Sequence, residues 1–381
     1  MGFFFTVVGI VLILLGVLDV FFTVLHYDGF GFLSSRLYNK LFNLVRFLTR
    51  PLPRKYRALG LSMAAPLMVP ATVTVWILLI AVGYAFVYYE SINTKTFYFS
   101  SPGLEPSFLE ALYLSGTAIS TVGFGDVTPQ STFYQLVAIS EALLGFGVLT
   151  LAITYVIGVY GVLQQLGVMA AGVHHQAQDT DNAWSILAPH FQGGEPVALD
   201  AHLMELHRGL VELYEGVRRY PVVYYYHSRR AYRSVPYTFR MIGGAAGALR
   251  WGLPAFHPAT RTPWLPTLIT GLLENIAFVE RRFLSRRLES APDPISFEAF
   301  EKALLGEDEP PDWYSQHFFE MQSWTRELAH IEEAPDVKDS YGRYLEWLPY
   351  THRVRAFFEA SAKDLGYKLD ELAQTPGERL F

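Results

Sequence analysis

Thr121-Val122-Gly123-Phe124-Gly125-Asp126 is the stretch on which the reading of this chain turns. It lies in a hairpin between two long apolar segments, directly after a short helical pattern. Glycine at alternate positions lets the backbone enter φ > 0 there at little steric cost. A loop that alternates in this way aims successive carbonyls at a common axis, with Val122 and Phe124 packing outward. The triplet Gly-Phe-Gly occurs at Gly29–Gly31, Gly123–Gly125 and Gly145–Gly147, and only the middle copy has Thr-Val before it and Asp after it. The outer copies read as a turn after a helix and as a flexible or closely packed point within one.

The apolar segments run from about Phe3 to Leu25, from Pro66 to Tyr89 and from Phe133 to about Leu163. Each reaches the roughly 20 residues that a helix needs to cross a bilayer. The composition agrees: 51% hydrophobic, 17% charged, with a mean hydropathy of +0.20, as for a membrane protein with a sizeable soluble part. A net charge of −6 argues against a nucleic-acid partner, and the absence of cysteine excludes disulfides, thiolate chemistry and Cys-based metal sites. The N-terminus lacks a basic stretch and a small-residue cleavage site, so it reads as an uncleaved span. The fold class expected is an all-α membrane protein: three transmembrane helices with a re-entrant helix and loop, then an all-α cytoplasmic domain.

Charge sets the expected orientation. Between the first two spans lie Arg36, Lys40, Arg46, Arg50, Arg54, Lys55 and Arg57 against Asp28. The hairpin from Glu90 to Ser131 carries Lys95 against Glu90, Glu105, Glu110 and Asp126. The positive-inside rule places the first loop in the cytoplasm and the hairpin outside, hence the N-terminus outside and the C-terminal region inside. Leu33, Leu37, Leu41, Leu44 and Leu48 recur at helical spacing in the first loop, which Pro51 and Pro53 end. Two readings stay open for it: a helix on the inner membrane surface in contact with lipid, or a plain connector.

From Glu105 to Ser120 a helix is expected, with Pro106 in its first turn and Glu110 near its N-terminus. With the loop that follows and the spans on either side, it resembles the pore module of the tetrameric potassium-channel family over about Pro66 to Leu163. The resemblance implies that carbonyls of Thr121, Val122, Gly123, Phe124 and Gly125 replace the water shell of potassium, the permeant ion, with the Thr121 hydroxyl at the inner end. It makes Thr117, Ser120 and Asp126 the filter's support, and one filter per chain implies a homotetramer. Phe124 stands where the family often has tyrosine, which removes a hydroxyl hydrogen bond.

The third span resembles the family's inner helix. Gly145 and Gly147 fall near its hinge position, with tight helix packing the competing reading. Phe146, Leu149, Ile153 and Ile157 would line an apolar path that closes by dewetting. Two acids lie within spans: Glu141, near the filter's support or the cavity and a gating candidate, and Asp19, which could pair with a basic group on the neighbouring helix or loop; for each, a structural hydrogen-bonding role and a role in gating or pH sensing stay open. No span carries regularly spaced arginines, so a voltage sensor of the usual kind is not expected. The extra first helix departs from a minimal two-helix pore.

Beyond Gln165 the chain changes character. Gly167 to Asp181 reads as a linker or frayed extension, and Ala201–Val217, Leu265–Leu288, Phe297–Leu304, Asp312–His330 and Tyr341–Leu365 as helices. The division expected is 1–27 first span, 28–65 basic linker, 66–165 pore module and 166–381 cytoplasmic helical regulatory domain. Gly243-Gly244-Ala245-Ala246-Gly247 has no strand before it, so a dinucleotide site is not expected. His202-x-x-Glu205-x-His207 has the wrong spacing for a helical metal pair and reads as surface residues. Arg229, Arg230 and Arg233 lie among tyrosines, in a pattern that suits an anionic ligand or lipid or, equally, ion pairs within the domain.

The function expected is a homotetrameric potassium channel in the cell membrane, gated by its cytoplasmic domain, with no cofactor and no catalytic constellation. Its expected partners are other copies of itself, membrane lipids and an unknown cytoplasmic ligand or protein. The alternative is a membrane-anchored signalling or scaffold protein whose pore module conducts poorly.

Overall fold

The structure is a computed structural model that describes residues 2–29, 31–93, 95–100, 106–178, 182–284 and 286–372. Glu105 of the expected re-entrant helix and 179–181 of the expected linker lie outside the described residues. The chain divides into two compact units, Met1–Val162 with Gly216–His227, and Leu163–Glu215 with Ser228–Phe381.

The first unit is built from α1 (Gly2–Val20), α2 (Phe32–Thr49), α3 (Arg54–Tyr89), α4 (Phe108–Ile119) and the first part of α5 (Thr132–Gln176). Three helical stretches, Phe3–Leu25, Lys55–Tyr89 and Thr132–Gln176, are long and apolar enough to cross a membrane. A widened π-helical turn, Phe21–Leu25, closes the first of them. The chain is therefore an all-α membrane protein, as its apolar runs predict.

α3 begins well before Pro66, at Arg54, and carries Pro66 and Pro70 inside it. The tail of the expected linker thus belongs to the second span. Proline removes a helical hydrogen bond, and membrane helices tolerate it where nearby groups satisfy the freed backbone. The carbonyls freed here are those of Ser62 and Pro66, while the Thr74 and Thr72 hydroxyls bond elsewhere, to the Pro70 carbonyl at 2.9 Å and the Met68 carbonyl at 2.7 Å. α1 lies along α3, with Phe5 stacked on Phe86 at 5.9 Å and edge-on to Tyr89 at 5.6 Å. A short antiparallel pair, β1 (Phe97–Phe99) and β2 (Val127–Pro129), ties the two ends of the hairpin together.

α2 forms as the leucine spacing predicts but turns another face inward. Ser34, Tyr38, Phe42 and Thr49 are buried, whereas Leu44 and Leu48 of the stripe are exposed along with Phe47. Hydropathy does not separate a face that meets lipid from one that meets protein, because both are apolar.

The second unit is helical apart from the two-residue strands β3 (Phe191–Gln192) and β4 (Glu195–Pro196) among its described residues. Its helices are the end of α5, most of α6 (Leu199–Arg219), then α7 (Val235–Gly247), α8 (Trp264–Arg282), α9 (Phe297–Leu304), α10 (Trp313–Leu328), α11 (Val337–Asp364) and α12 (Leu369–Leu372). α7 is buried almost throughout and is the centre of this unit. Phe239 meets Phe357 of α11 at 5.1 Å, and Tyr350 donates to the Gly243 carbonyl at 2.8 Å. The glycine-rich run thus lies in helix α7 under Tyr350. Expected boundaries shift at two places: α8 stops at Arg282, and α5 continues as helix to Gln176 where a linker is expected.

Candidate functional site

The site grows from the end of α4. Ser107 caps its start, accepting from the Glu110 amide at 3.2 Å, so Pro106 sits before the cap instead of in the first turn. After Ser120 the backbone turns into the loop through three amide bonds. Thr121 N–H donates to Ala118 O at 3.0 Å, and Val122 and Gly123 N–H both donate to Thr117 O, at 3.0 and 3.3 Å. Positive φ then recurs at every second residue: 59° at Thr121, 56° at Gly123 and 81° at Gly125. The glycines adopt the left-handed region as their placement predicts, and Thr121 joins them although it carries a branched side chain.

The three expected support residues make definite hydrogen bonds. Thr117 supports the loop with its carbonyl, since its hydroxyl turns back to Leu114 O at 2.9 Å. Ser120 likewise donates to Gly116 O at 2.6 Å. Asp126 is held at the far end, where Tyr113 OH donates to Oδ2 at 2.6 Å and Ser100 N–H to the main-chain carbonyl at 2.9 Å. Tyr113 escapes sequence reading because a tyrosine on an apolar helix resembles ordinary packing.

Behind the loop, Glu141 is fully buried and accepts from Tyr88 OH at 2.7 Å and from Ser115 Oγ at 2.5 Å. Ser115 Oγ also lies 2.8 Å from the Ala81 carbonyl. Four residues along α5, Gly145 meets the end of α4: a Cβ there would come within 2.3 Å of the Ile119 carbonyl. That contact is the packing reading of Gly145, and α5 runs unbroken through the position. A Cβ on Gly147 would meet nothing within 4 Å. Phe146, Leu149, Ile153 and Ile157 share a face of α5 that the chain itself leaves uncovered.

Among the described residues Asp19 pairs with no basic group. Its carboxylate accepts from Trp76 Nε1 at 2.7 Å and from the Leu33 amide at 2.8 Å, the latter in the first turn of α2. There it satisfies an amide that the helix leaves unpaired and favours the helix's positive end. Thr23 and Ser34 hydroxyls meet beside it at 2.7 Å.

In the second unit Arg229, Arg230 and Arg233 are exposed. Arg230 donates to Tyr232 OH at 3.1 Å, Arg233 lies 5.7 Å from the same ring, and Tyr232 stacks on His174 at 4.0 Å. Hydrogen bonding to Arg230 pulls the Tyr232 hydroxyl below its ordinary pKa. His202 is buried and stacked on His190 at 4.1 Å, not at the surface as expected. No group of three or more metal-binding side chains occurs among the described residues.

Residues 72–161 match a family described as ion channel. Over 256 residues the chain is 25% identical to the uncharacterized membrane protein YdjJ of Bacillus subtilis (strain 168), covering 66% of this chain and 71% of that one. No solved structure matches. The family match takes in the hairpin that holds 121–126 together with parts of both helices flanking it, so over that stretch this membrane protein is similar to ion-channel pores.

Proposed function

We propose that the chain is a potassium-selective channel in which four copies surround one pore. The observation that carries this reading is the recurrence of positive φ at Thr121, Gly123 and Gly125, in a loop fed by a short re-entrant helix. Such a backbone presents carbonyl rings that replace the water shell of potassium when several copies meet. The C-terminal ends of four α4 helices add a negative potential that favours a cation below the filter.

Assembly is supported by what one chain leaves uncovered. Phe124 is 68% exposed, and Cβ atoms on Gly123 and Gly125 would meet nothing within 4 Å among the described residues, so this side of the loop is open to contact with further copies. The exposed face of α5 at Phe146, Leu149, Ile153 and Ile157 suits an apolar inner path bounded by further copies. The basic first loop favours an outside N-terminus and an inside C-terminal region in the cell membrane. The uncovered apolar stripe of α2 would then meet lipid at the inner surface, and Arg229, Arg230 and Arg233 would take an anionic ligand or headgroup. Gating falls to the helical unit 163–215 and 228–381, into which α5 continues without a break.

The test is flux from liposomes holding the purified full chain, under opposed potassium and sodium gradients. Potassium should pass well ahead of sodium, and Gly123→Ala, which puts a side chain at φ 56°, should abolish the flux. Equal passage of sodium, or flux that survives Gly123→Ala, would refute the reading.

A further inference from the structure

α4 and α5 touch at two points that fall one helical turn apart on both helices: Glu141 on Ser115, and Gly145 on Ile119. The first contact is polar and fully buried. A carboxyl group removed from water costs free energy unless it is hydrogen-bonded, and an apolar side chain would fill the same space without that cost. What the carboxyl adds is position. Ser115 has one hydroxyl hydrogen and faces two acceptors, Ala81 O of α3 and Glu141 Oε1 of α5, while Tyr88 of α3 holds the other carboxyl oxygen. One small polar cluster therefore registers three helices against each other.

The register reaches the loop in two steps. Thr117, half a turn beyond Ser115 on α4, offers the carbonyl that takes the amides of Val122 and Gly123. Ser115 and that carbonyl lie two residues apart on α4.

We infer that Glu141 and Ser115 form a latch through which the inner helix sets the geometry of residues 121–125, so that movement of α5 is felt at the filter. Both are positioning residues, and the inference rests on the conduction reading only for its consequence, not for the coupling itself. Gly145 is part of the same device: its missing side chain keeps α5 against the Ile119 carbonyl.

Local hydrogen exchange tests it on the full chain in lipid vesicles containing potassium. Ser115→Ala and Glu141→Ala should each speed exchange of the Val122 and Gly123 amides by about tenfold, the scale of one lost buried hydrogen bond. The double variant should be no faster than the faster single one, because both remove the same bond. Glu141→Gln should stay near the original rate, since a carboxamide can accept from Tyr88 and donate to Ser115. Exchange in the β1–β2 pair should not change. Should Glu141→Ala fail to fold, Ser115→Ala, which loses a single oxygen, carries the measurement.

Unchanged exchange in the alanine variants, additive effects in the double, or Glu141→Gln as loose as Glu141→Ala would overturn the latch. The flux assay separates the two ideas. Coupled exchange in a chain that passes no potassium would sink conduction and leave the latch. A conducting chain with uncoupled exchange would sink the latch alone.

Discussion

Thr121 holds a branched side chain at φ 59°, a conformation that costs an L-residue about 1–2 kcal/mol. The Ala118 carbonyl fixes it from behind, and the glycines that follow at alternate positions share the backbone without that cost. Strain kept at one residue of a loop fits the proposal that the Thr121 hydroxyl and carbonyl both meet the ion. The two glycines of α5 divide differently. Gly145→Ala would push a methyl group to 2.3 Å from the Ile119 carbonyl, and overpacking of that kind costs about 1–3 kcal/mol. Gly147→Ala meets open space within the chain and should change stability by less than about 1 kcal/mol. Thermal melting of the two variants checks this, and equal losses at both positions would show that contact with Ile119 is not what keeps Gly145 small.

At the scale of elements, the segment Gly216–His227 departs most from sequence expectation. It lies in the stretch grouped with the cytoplasmic helices, yet it packs within the membrane-spanning unit. Arg218 pairs with Asp28 at 2.6 Å, and Tyr225 donates to Asn39 at 2.5 Å while its ring meets Phe42 at 5.3 Å. Tyr220 lies edge-on to Tyr155 of α5 at 5.4 Å. The tyrosines interleaved with arginine are thus largely packing groups here. Both partners of the Arg218–Asp28 pair are over a third exposed, so the pair contributes at most about 1 kcal/mol. Tyr225 is 5% exposed, and its loss to alanine should cost about 3–5 kcal/mol, against about 1 kcal/mol for Tyr225→Phe, which loses only the hydroxyl bond. Chemical unfolding of the full chain in detergent reads both, and a Tyr225→Ala variant as stable as the original would show that the segment is not anchored through this ring.

Across the whole molecule, most of the large apolar side chains left exposed belong to the membrane part, and fewer to the helical unit. The latter brings its pH dependence with it. His202 is buried against His190, its Nε2 has no hydrogen-bond partner among the described residues, and burial followed by repulsion from His190 lowers its pKa from 6.5 to about 4. A folded-state pKa below the unfolded value means that the neutral ring is favoured by folding. Its contribution is full above pH 6.5 and is lost as pH falls toward 4, by up to about 3 kcal/mol. Melting of the full chain across pH 7 to pH 4 should therefore show a drop that His202→Phe flattens, and an unflattened drop would assign the acid sensitivity to other groups.

What could be read without a structure was what is local. The length of an apolar run decides whether a helix can span, and six residues with glycine at alternate positions decide where the backbone must turn left-handed. These demands are met within a few neighbours, so the spans, the short helix and the loop were all legible. Tertiary structure alone decided the partners of polar groups inside the membrane part and the face that each helix turns inward. Glu141 meets Ser115 across 26 positions, Asp19 meets Trp76 across 57, and Arg218 meets Asp28 across 190. An apolar stripe is equally content against lipid or against protein, so its pattern carries no record of which one covers it, whereas a buried polar atom needs one particular partner that only the folded chain brings into reach.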